Sequence, residues 1–238
     1  MRELIERRFG KRLGLSTVQL YLKRWGMTPQ KPLTRATERS PAAVAAWLAR
    51  DYPAIARRAQ REGAVVYWGD ESGISNQDQI GRSWAPRGRT PVVGRTARRI
   101  AQSMISAVSN RGLMRFMLYD GALDAARFLT FLRRLIKDAA QKVFLVVDNL
   151  KVHHARKVKT WVQSHRDAIE LFYLPAYAPE HNPDEYLNND VKQKLRQKPQ
   201  PGSKDELLAS TRTVLRAIQR SPVRIRSYFR PDPVRYAA

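Results

Sequence analysis

The run Lys142-Val-Phe-Leu-Val-Val147, followed at once by Asp148-Asn149, most constrains what this chain can fold into. Its uninterrupted apolar residues, most of them β-branched or aromatic, leave neither face of a strand for water. The run therefore predicts a strand central in a sheet that is covered on both sides.

Around it the hydrophobic period changes repeatedly. Ala64-Val-Val-Tyr-Trp68 predicts a second buried strand that delivers Asp70 at its C-terminal end. Ser103–Val108 and Leu113–Tyr119, split by Asn110-Arg111-Gly112, predict a hairpin. Ile169–Leu174 predicts another strand, closed by Pro175-Ala176-Tyr177-Ala178-Pro179. Ser83-Trp84-Ala85 and Pro91-Val92-Val93, around Arg87-Gly88-Arg89, read as a strand and loop. Among the helices, Asp124–Ala140 carries Phe128, Phe131, Leu132, Leu135 and Ile136 on one face, and a basic helix is expected from about His153 to His165. Asn182 suits an N-cap and Pro183 the first position of a helix running toward Leu195. Ser203-Lys204-Asp205-Glu206 has capping-box spacing and opens a last long helix with Arg212, Arg216 and Arg220 along one face. The fold class is α/β.

Ahead of this segment, residues 3 to about 30 read as helix, tight turn, helix, a helix-turn-helix candidate. The second helix opens at Ser16, where Ser16 to Gln19 has capping-box spacing, and places Val18, Leu22 and Trp25 on one face with Lys23 and Arg24 outward. A proline-rich basic linker follows, then an alanine-rich helix that kinks or restarts at Pro53. The chain thus divides into a partial helix-turn-helix unit (1–30), a linker and connecting helix (31–62), an α/β domain (63–200) and a basic C-terminal helix and tail (201–238).

Charge narrows the function. With 44 Lys and Arg against 21 Asp and Glu, the chain carries +23 and points to a polyanionic partner, nucleic acid before membrane. Thirteen of those acids fall within residues 63–190, whereas 1–62 and 191–238 hold 14 and 12 basic residues against 5 and 3 acidic ones. A chain that only coats nucleic acid gains nothing from carboxylates at its centre; an enzyme that binds metal ions there does. The absence of cysteine removes disulfides, thiolate metal sites and cysteine nucleophiles. No apolar run approaches the roughly 18 residues needed to span a bilayer, and Met1–Arg8 lacks a signal-peptide pattern. A cytoplasmic protein without a membrane partner is expected.

Two of the predicted strands end in aspartate, at the sheet edge where open α/β folds place their sites. A third carboxylate from the first turn after the last strand, Glu185 or Asp184, would complete an oxygen cage for Mg²⁺ or Mn²⁺. Two such ions about 4 Å apart activate a nucleophile and stabilise the leaving oxygen at a phosphodiester. Taken singly, each acid also fits a turn former or a macrodipole partner. His153 and His154 point to different faces of a helix, which predicts surface or phosphate contact rather than a metal site. Ser72 and Ser75 have no assigned base, and Gly69, Gly73, Gly81 and Gly88 do not form a P-loop.

Four blocks occur in order: Tyr67-Trp-Gly-Asp-Glu-Ser-Gly73, Gly81-Arg-Ser-Trp-Ala-Pro-Arg-Gly-Arg-Thr-Pro91, Val147-Asp-Asn149 with His153 close behind, and Leu174-Pro-Ala-Tyr-Ala-Pro-Glu-His-Asn-Pro-Asp-Glu-Tyr-Leu187. Together with the tail from Ser227 to Tyr236, they make the chain resemble transposases of the insertion sequence 630 family, bacterial relatives of the Tc/mariner group. The resemblance implies a ribonuclease-H-like domain of the retroviral-integrase type with three metal-binding acids. Carried over, Asp70 and Asp148 are the catalytic aspartates and Glu185 the third acid, preferred to Asp184 because the family pattern is Asn-Pro-x-Glu. The 36 residues between Asp148 and Glu185 match the family's mid-thirties spacing. Glu71 and Asn149 would orient groups beside the metals, and Trp84 with Arg87 and Arg89 would form a DNA-facing or packing hairpin.

The implied activity is Mg²⁺- or Mn²⁺-dependent hydrolysis at transposon ends, using two ions, and strand transfer into target DNA at TA. The implied partners are double-stranded DNA, as transposon ends and target, and a second copy of the chain; the implied place is the bacterial nucleoid. Relatives carry two helix-turn-helix units, and this chain begins inside the match to the second. A non-catalytic DNA-binding remnant that regulates a related transposase is the alternative.

Overall fold

The computed structural model, which describes residues 1–30, 36–77, 84–90, 92 and 98–238, forms two compact units, Met1–Thr37 and Glu38–Ala238. In the first, α1 (Arg2–Phe9) and α2 (Leu15–Arg24) flank a turn that starts at Gly10, whose φ of 63° is left-handed. Helix α2 begins at Leu15 with Gly14 as N-cap and no side-chain cap, so the expected Ser16 capping box does not form. Of its expected apolar face Val18 is buried, but Trp25 is 65% exposed. Two short helices offer too little surface to cover it.

Part of the expected linker (31–35) and of the expected strand and loop (78–83, 91, 93–97) lies outside the described residues. Residues 84–90 contain no strand: the Arg89 N–H donates to the Pro86 carbonyl in a turn, and Trp84 is fully exposed and packs on no core.

The second unit opens with α3 (Pro41–Ala46), capped by Ser40, and continues through a π-helical turn over Trp47–Asp51 into α4 (Tyr52–Glu62). That widened turn is the form the break at Pro53 takes, because proline lacks an N–H and its ring displaces the carbonyl four residues back. There follow β1 (Val65–Ser75), β2 (Ala101–Val108), β3 (Met114–Tyr119), α5 (Ala125–Lys137), β4 (Val143–Val147), α6 (Arg156–Ser164), β5 (Ile169–Tyr173), α7 (Pro183–Arg196), α8 (Lys204–Gln219) and α9 (Pro222–Ser227).

The strands form one sheet in the order β3-β2-β1-β4-β5, with β1, β2 and β3 antiparallel and β4 parallel to both β1 and β5. All of β4 is buried, as its apolar run requires. Helices α5 and α6 share a core with one face, where Phe128, Phe131, Leu132 and Val158 cluster with Tyr67, Leu145 and Val147. Helices α4, α7, α8 and α9 share the other, where Tyr52, Leu187, Leu215 and Phe229 cluster with Trp68, Phe144 and Val146. This three-layer arrangement around a mixed sheet is the ribonuclease-H-like architecture that the resemblance implies.

Strand β1 departs from expectation. It runs on to Ser75 instead of stopping before Asp70, because β2 pairs with it from Trp68 to Ser75, whereas β4 pairs only with Val65 to Trp68. Asp70 therefore stands in mid-strand, just beyond the point where β4 falls away. Helix α6 likewise starts at Arg156, and residues 151–154 form turns where a helix was expected.

Candidate active site in an acidic notch

The missing pairing leaves a notch in the sheet beyond β4. Asp148 follows the last residue of β4, Asp70 comes from β1, and Glu185 from the first turn of α7. With Asn149, these three line one cleft of about 400 Å³.

The geometry that docks α7 starts at Asn182. Its Oδ1 caps the helix by accepting from the Asp184 N–H at 3.1 Å, and its Nδ2 donates to the Gly69 carbonyl at 3.1 Å. Helix and strand are thus joined one residue from Asp70. A Cβ on Gly69 would lie 3.1 Å from the Ser106 carbonyl and 3.3 Å from Leu145 Cδ1, so a side chain there would push β1 off its neighbours. Asp184 points away from the cleft, is fully buried and accepts from Ser106 Oγ at 2.6 Å, whereas Glu185 is half-buried and lines the cleft.

Electrostatics follow from this crowding. Burial, then the charges of Asp184, Glu185, Glu71 and Asp148, push Asp70 up to about 9. Protonated, it hydrogen-bonds to Glu185, which burial raises against the opposing pull of Lys192. Asp70 Oδ2 also accepts from Asn188 Nδ2 at 2.8 Å. Glu71 is pushed up to about 7 by burial and by Asp148, with His153 opposing, and its buried Oε2 has no hydrogen-bond partner among the described residues.

Asp148 is held differently. Its Oδ1 accepts from the Leu150 N–H at 3.1 Å, and His153 Nδ1 lies 3.1 Å from both that oxygen and the Asp148 carbonyl. His153 is 1% exposed and packs against the Phe128 ring, which corrects its expected surface placement: the turns before α6 fold it back under Asp148. His154 stacks on Tyr173 with ring centroids 4.2 Å apart. Asn149 donates from Nδ2 to the Leu174 carbonyl and so ties the end of β4 to the end of β5.

Of the candidate DNA contacts, Lys23 and Arg24 are exposed at the end of α2, with the Arg24 guanidinium 6.0 Å from the Tyr21 ring centroid. Arg87 and Arg89 are exposed in the turn of 84–90 and do not line the acidic cleft. The residues that sequence reasoning missed are Asn188 and Ser106. Asn188 carried a signal: it sits on the stripe of α7 shared with Leu187 and Val191, where a polar side chain is out of place.

Among the described residues no three acidic or histidine side chains are gathered into a metal-holding group, since Asp70 faces Glu185 and Asn188 while Asp148 faces His153. The donor set nevertheless fits a hard divalent cation. It offers only carboxylate oxygens, crowded until Asp70 takes up a proton that a cation could replace. No helix among the described residues is long and apolar enough to cross a membrane.

A family model described as DDE superfamily endonuclease matches residues 65–208, and one described as winged helix-turn helix matches residues 1–51. No curated protein matches the chain. Among solved structures, the Mos1 strand transfer complex is similar with a TM-score of 0.72 at 17% identity, over 99% of this chain and 70% of that one. The Mos1 mariner paired end complex with Mn gives 0.72 at 15% identity, over 99% and 72%. The catalytic domain of Mos1 mariner transposase gives 0.55 at 14% identity, over 87% of this chain and 97% of that one. At such identities the likeness is one of fold.

Proposed function

The chain belongs to the DDE superfamily endonuclease family, and on that premise we propose that it is a DNA transposase of the insertion sequence 630 type, cutting at transposon ends and joining them to target DNA at TA. One observation carries this reading: in a chain of net charge +23, carboxylates from β1, β4 and α7 converge on a single cleft.

Asp70, Asp148 and Glu185 would hold Mg²⁺ or Mn²⁺, as two ions, and the ions when bound supply Lewis-acid activation of the scissile phosphodiester. The solved Mos1 complexes titled with Mn and with Mg support a divalent requirement. The chain's own residues set the stage for that chemistry. Asn188 holds Asp70, Asn182 docks α7 onto β1, His153 steadies Asp148, and Asn149 fixes the loop after β4. Glu71, buried beside Asp148, adds to the negative field that a cation relieves. In the first step water attacks the phosphorus and the 3′-oxygen leaves, which gives a 3′-hydroxyl and a 5′-phosphate. In the second, that hydroxyl attacks a target phosphodiester and displaces the target's own 3′-oxygen. Lys23, Arg24, Arg87 and Arg89 contact the DNA backbone, so binding weakens steeply with salt. Two ends are joined in one event, which calls for a homodimer on DNA.

The test is cleavage of a labelled duplex carrying the element's terminal repeat, with Mg²⁺ or Mn²⁺, by this chain and by Asp148→Asn. Metal-dependent cutting at the repeat end that vanishes in the variant is the expected result. Binding without cutting by either, with an upstream helix-turn-helix unit supplied, would replace this reading with that of a DNA-binding regulator.

A further inference from the structure

Tyr177 is the one non-glycine residue with positive φ among the described residues, at 57°. The left-handed region is costly for a residue with a Cβ, and an aromatic side chain there holds its position only if its surroundings over-determine it. They do: Leu174 and Ala178 on either side are each 3% exposed, Pro175 and Pro179 restrict the backbone, and the Leu174 N–H donates to the Val147 carbonyl at 2.8 Å. The segment is clamped, and the ring it presents is not. Tyr177 is 57% exposed and has no hydrogen bond or ring contact among the described residues. It lines the same cleft as Asp70, Asp148 and Glu185.

The rim beside it is apolar. Leu150, Pro175 and Pro179 line the cleft with Tyr177 above the carboxylates, so acids form one part of the site and flat, uncharged surface the other. The carboxylate part suits a phosphodiester with its cations. The apolar part suits neither phosphate nor sugar, but it does suit the face of a base, which stacks on aromatic rings with little regard to sequence. Enzymes that work on a duplex commonly take a nucleotide out of the stack to reach their target atoms.

We propose that Tyr177, with Leu150 and Pro179, forms a subsite for the nucleobase adjoining the scissile phosphate, unstacked from the duplex and laid on the Tyr177 ring. The strained backbone aims the ring across the cleft; the cleavage chemistry itself rests on the function proposed above.

The test combines a cross-link with kinetics on the full chain. The Asp148→Asn chain is bound to duplex ends in which single pyrimidines near the cut carry a 5-iodo group, irradiated, and the cross-linked peptide mapped. Cross-linking to Tyr177 from one or two positions next to the cut is expected. In the otherwise wild-type chain, Tyr177→Leu lowers the cleavage rate about tenfold, as loss of one base stack does, and Tyr177→Phe restores most of that loss. Tyr177→Gly removes ring and strain together, so it cuts as poorly as Tyr177→Leu while its Tm does not fall.

No cross-link at Tyr177, or cleavage by Tyr177→Leu at the wild-type rate while the wild type cuts, overturns the subsite and leaves the transposase reading standing. A cross-link at Tyr177 with no cleavage under any metal condition does the reverse. A fall in Tm for both Tyr177→Leu and Tyr177→Gly without a cross-link assigns the ring to packing and also overturns the subsite.

Discussion

Asn188 donates from Nδ2 to Asp70 Oδ2 at 2.8 Å, so a residue three positions past Glu185 on α7 holds the acid of β1. Asn188 is 2% exposed and its Oδ1 has no hydrogen-bond partner among the described residues, a desolvation cost that an apolar side chain at the same place would avoid. We expect Asn188→Leu to keep or raise Tm while cleavage falls tenfold or more. Asn188→Asp adds a further buried carboxyl and should lose about 1–3 kcal/mol of stability at neutral pH. Thermal scans beside the cleavage assay check both, and wild-type cutting by Asn188→Leu would remove the positioning role.

Metal and charge are linked at Asp70. Its carboxyl is buried among Asp184, Glu185, Glu71 and Asp148. Asp70→Asn relieves that crowding and should raise the Tm of the metal-free chain by roughly 5 °C. Mn²⁺ should then stabilise the wild type, by mass action on the folded state, and leave Asp70→Asn unmoved. Scans in EDTA and in excess Mn²⁺ decide the point; an equal metal-induced rise in both chains would contradict it.

A second acid behaves in the opposite sense. Burial raises Asp190, but hydrogen bonds from Arg224 at 2.5 and 2.6 Å and from Tyr228 at 2.6 Å outweigh it and hold its carboxyl below the usual range. A group whose folded pKa is depressed contributes stability that is present above its unfolded value, near 3.9, and is lost as pH falls through the folded value. Asp190→Asn should therefore cost about 1–2 kcal/mol at pH 7, with the deficit closing below about pH 4. Urea titrations of both chains across that range give the answer.

Gly69 is a matter of space. The Ser106 carbonyl and Leu145 Cδ1 both stand closer than ordinary van der Waals contact to the place an added methyl would take, so Gly69→Ala should destabilise by about 1–3 kcal/mol. The shift falls one residue from Asp70, so cleavage should drop further than stability does. Denaturant titration with parallel rate measurement separates the two losses.

The layout of the fold was legible because its signals are local. The β4 run announced its own burial, Asn182 and Pro183 marked the start of α7, and Asp124 and Ser203 cap α5 and α8 by accepting from Arg127 and Glu206 N–H groups. Other local signals mislead. The Ser16 spacing matches a capping box, yet α2 starts at Leu15, and Gly69, which looks like a stop for β1 just before Asp70, packs inside the strand.

From the sequence alone came the identity of Asp70, Asp148 and Glu185 as candidates, the basic flanks around an acidic centre, and the strands and helices that carry them. Those depend on residue type and on periodicity over a few neighbours. Only the tertiary structure decided that β4 pairs with β1 no further than Trp68 and so opens the notch at Asp70, that Asp184 turns to Ser106 while Glu185 turns to the cleft, and that Asn188 and Tyr177 meet the acids at all. These are contacts between residues up to 118 positions apart, set by which strands pair and where pairing stops, and no local pattern encodes that.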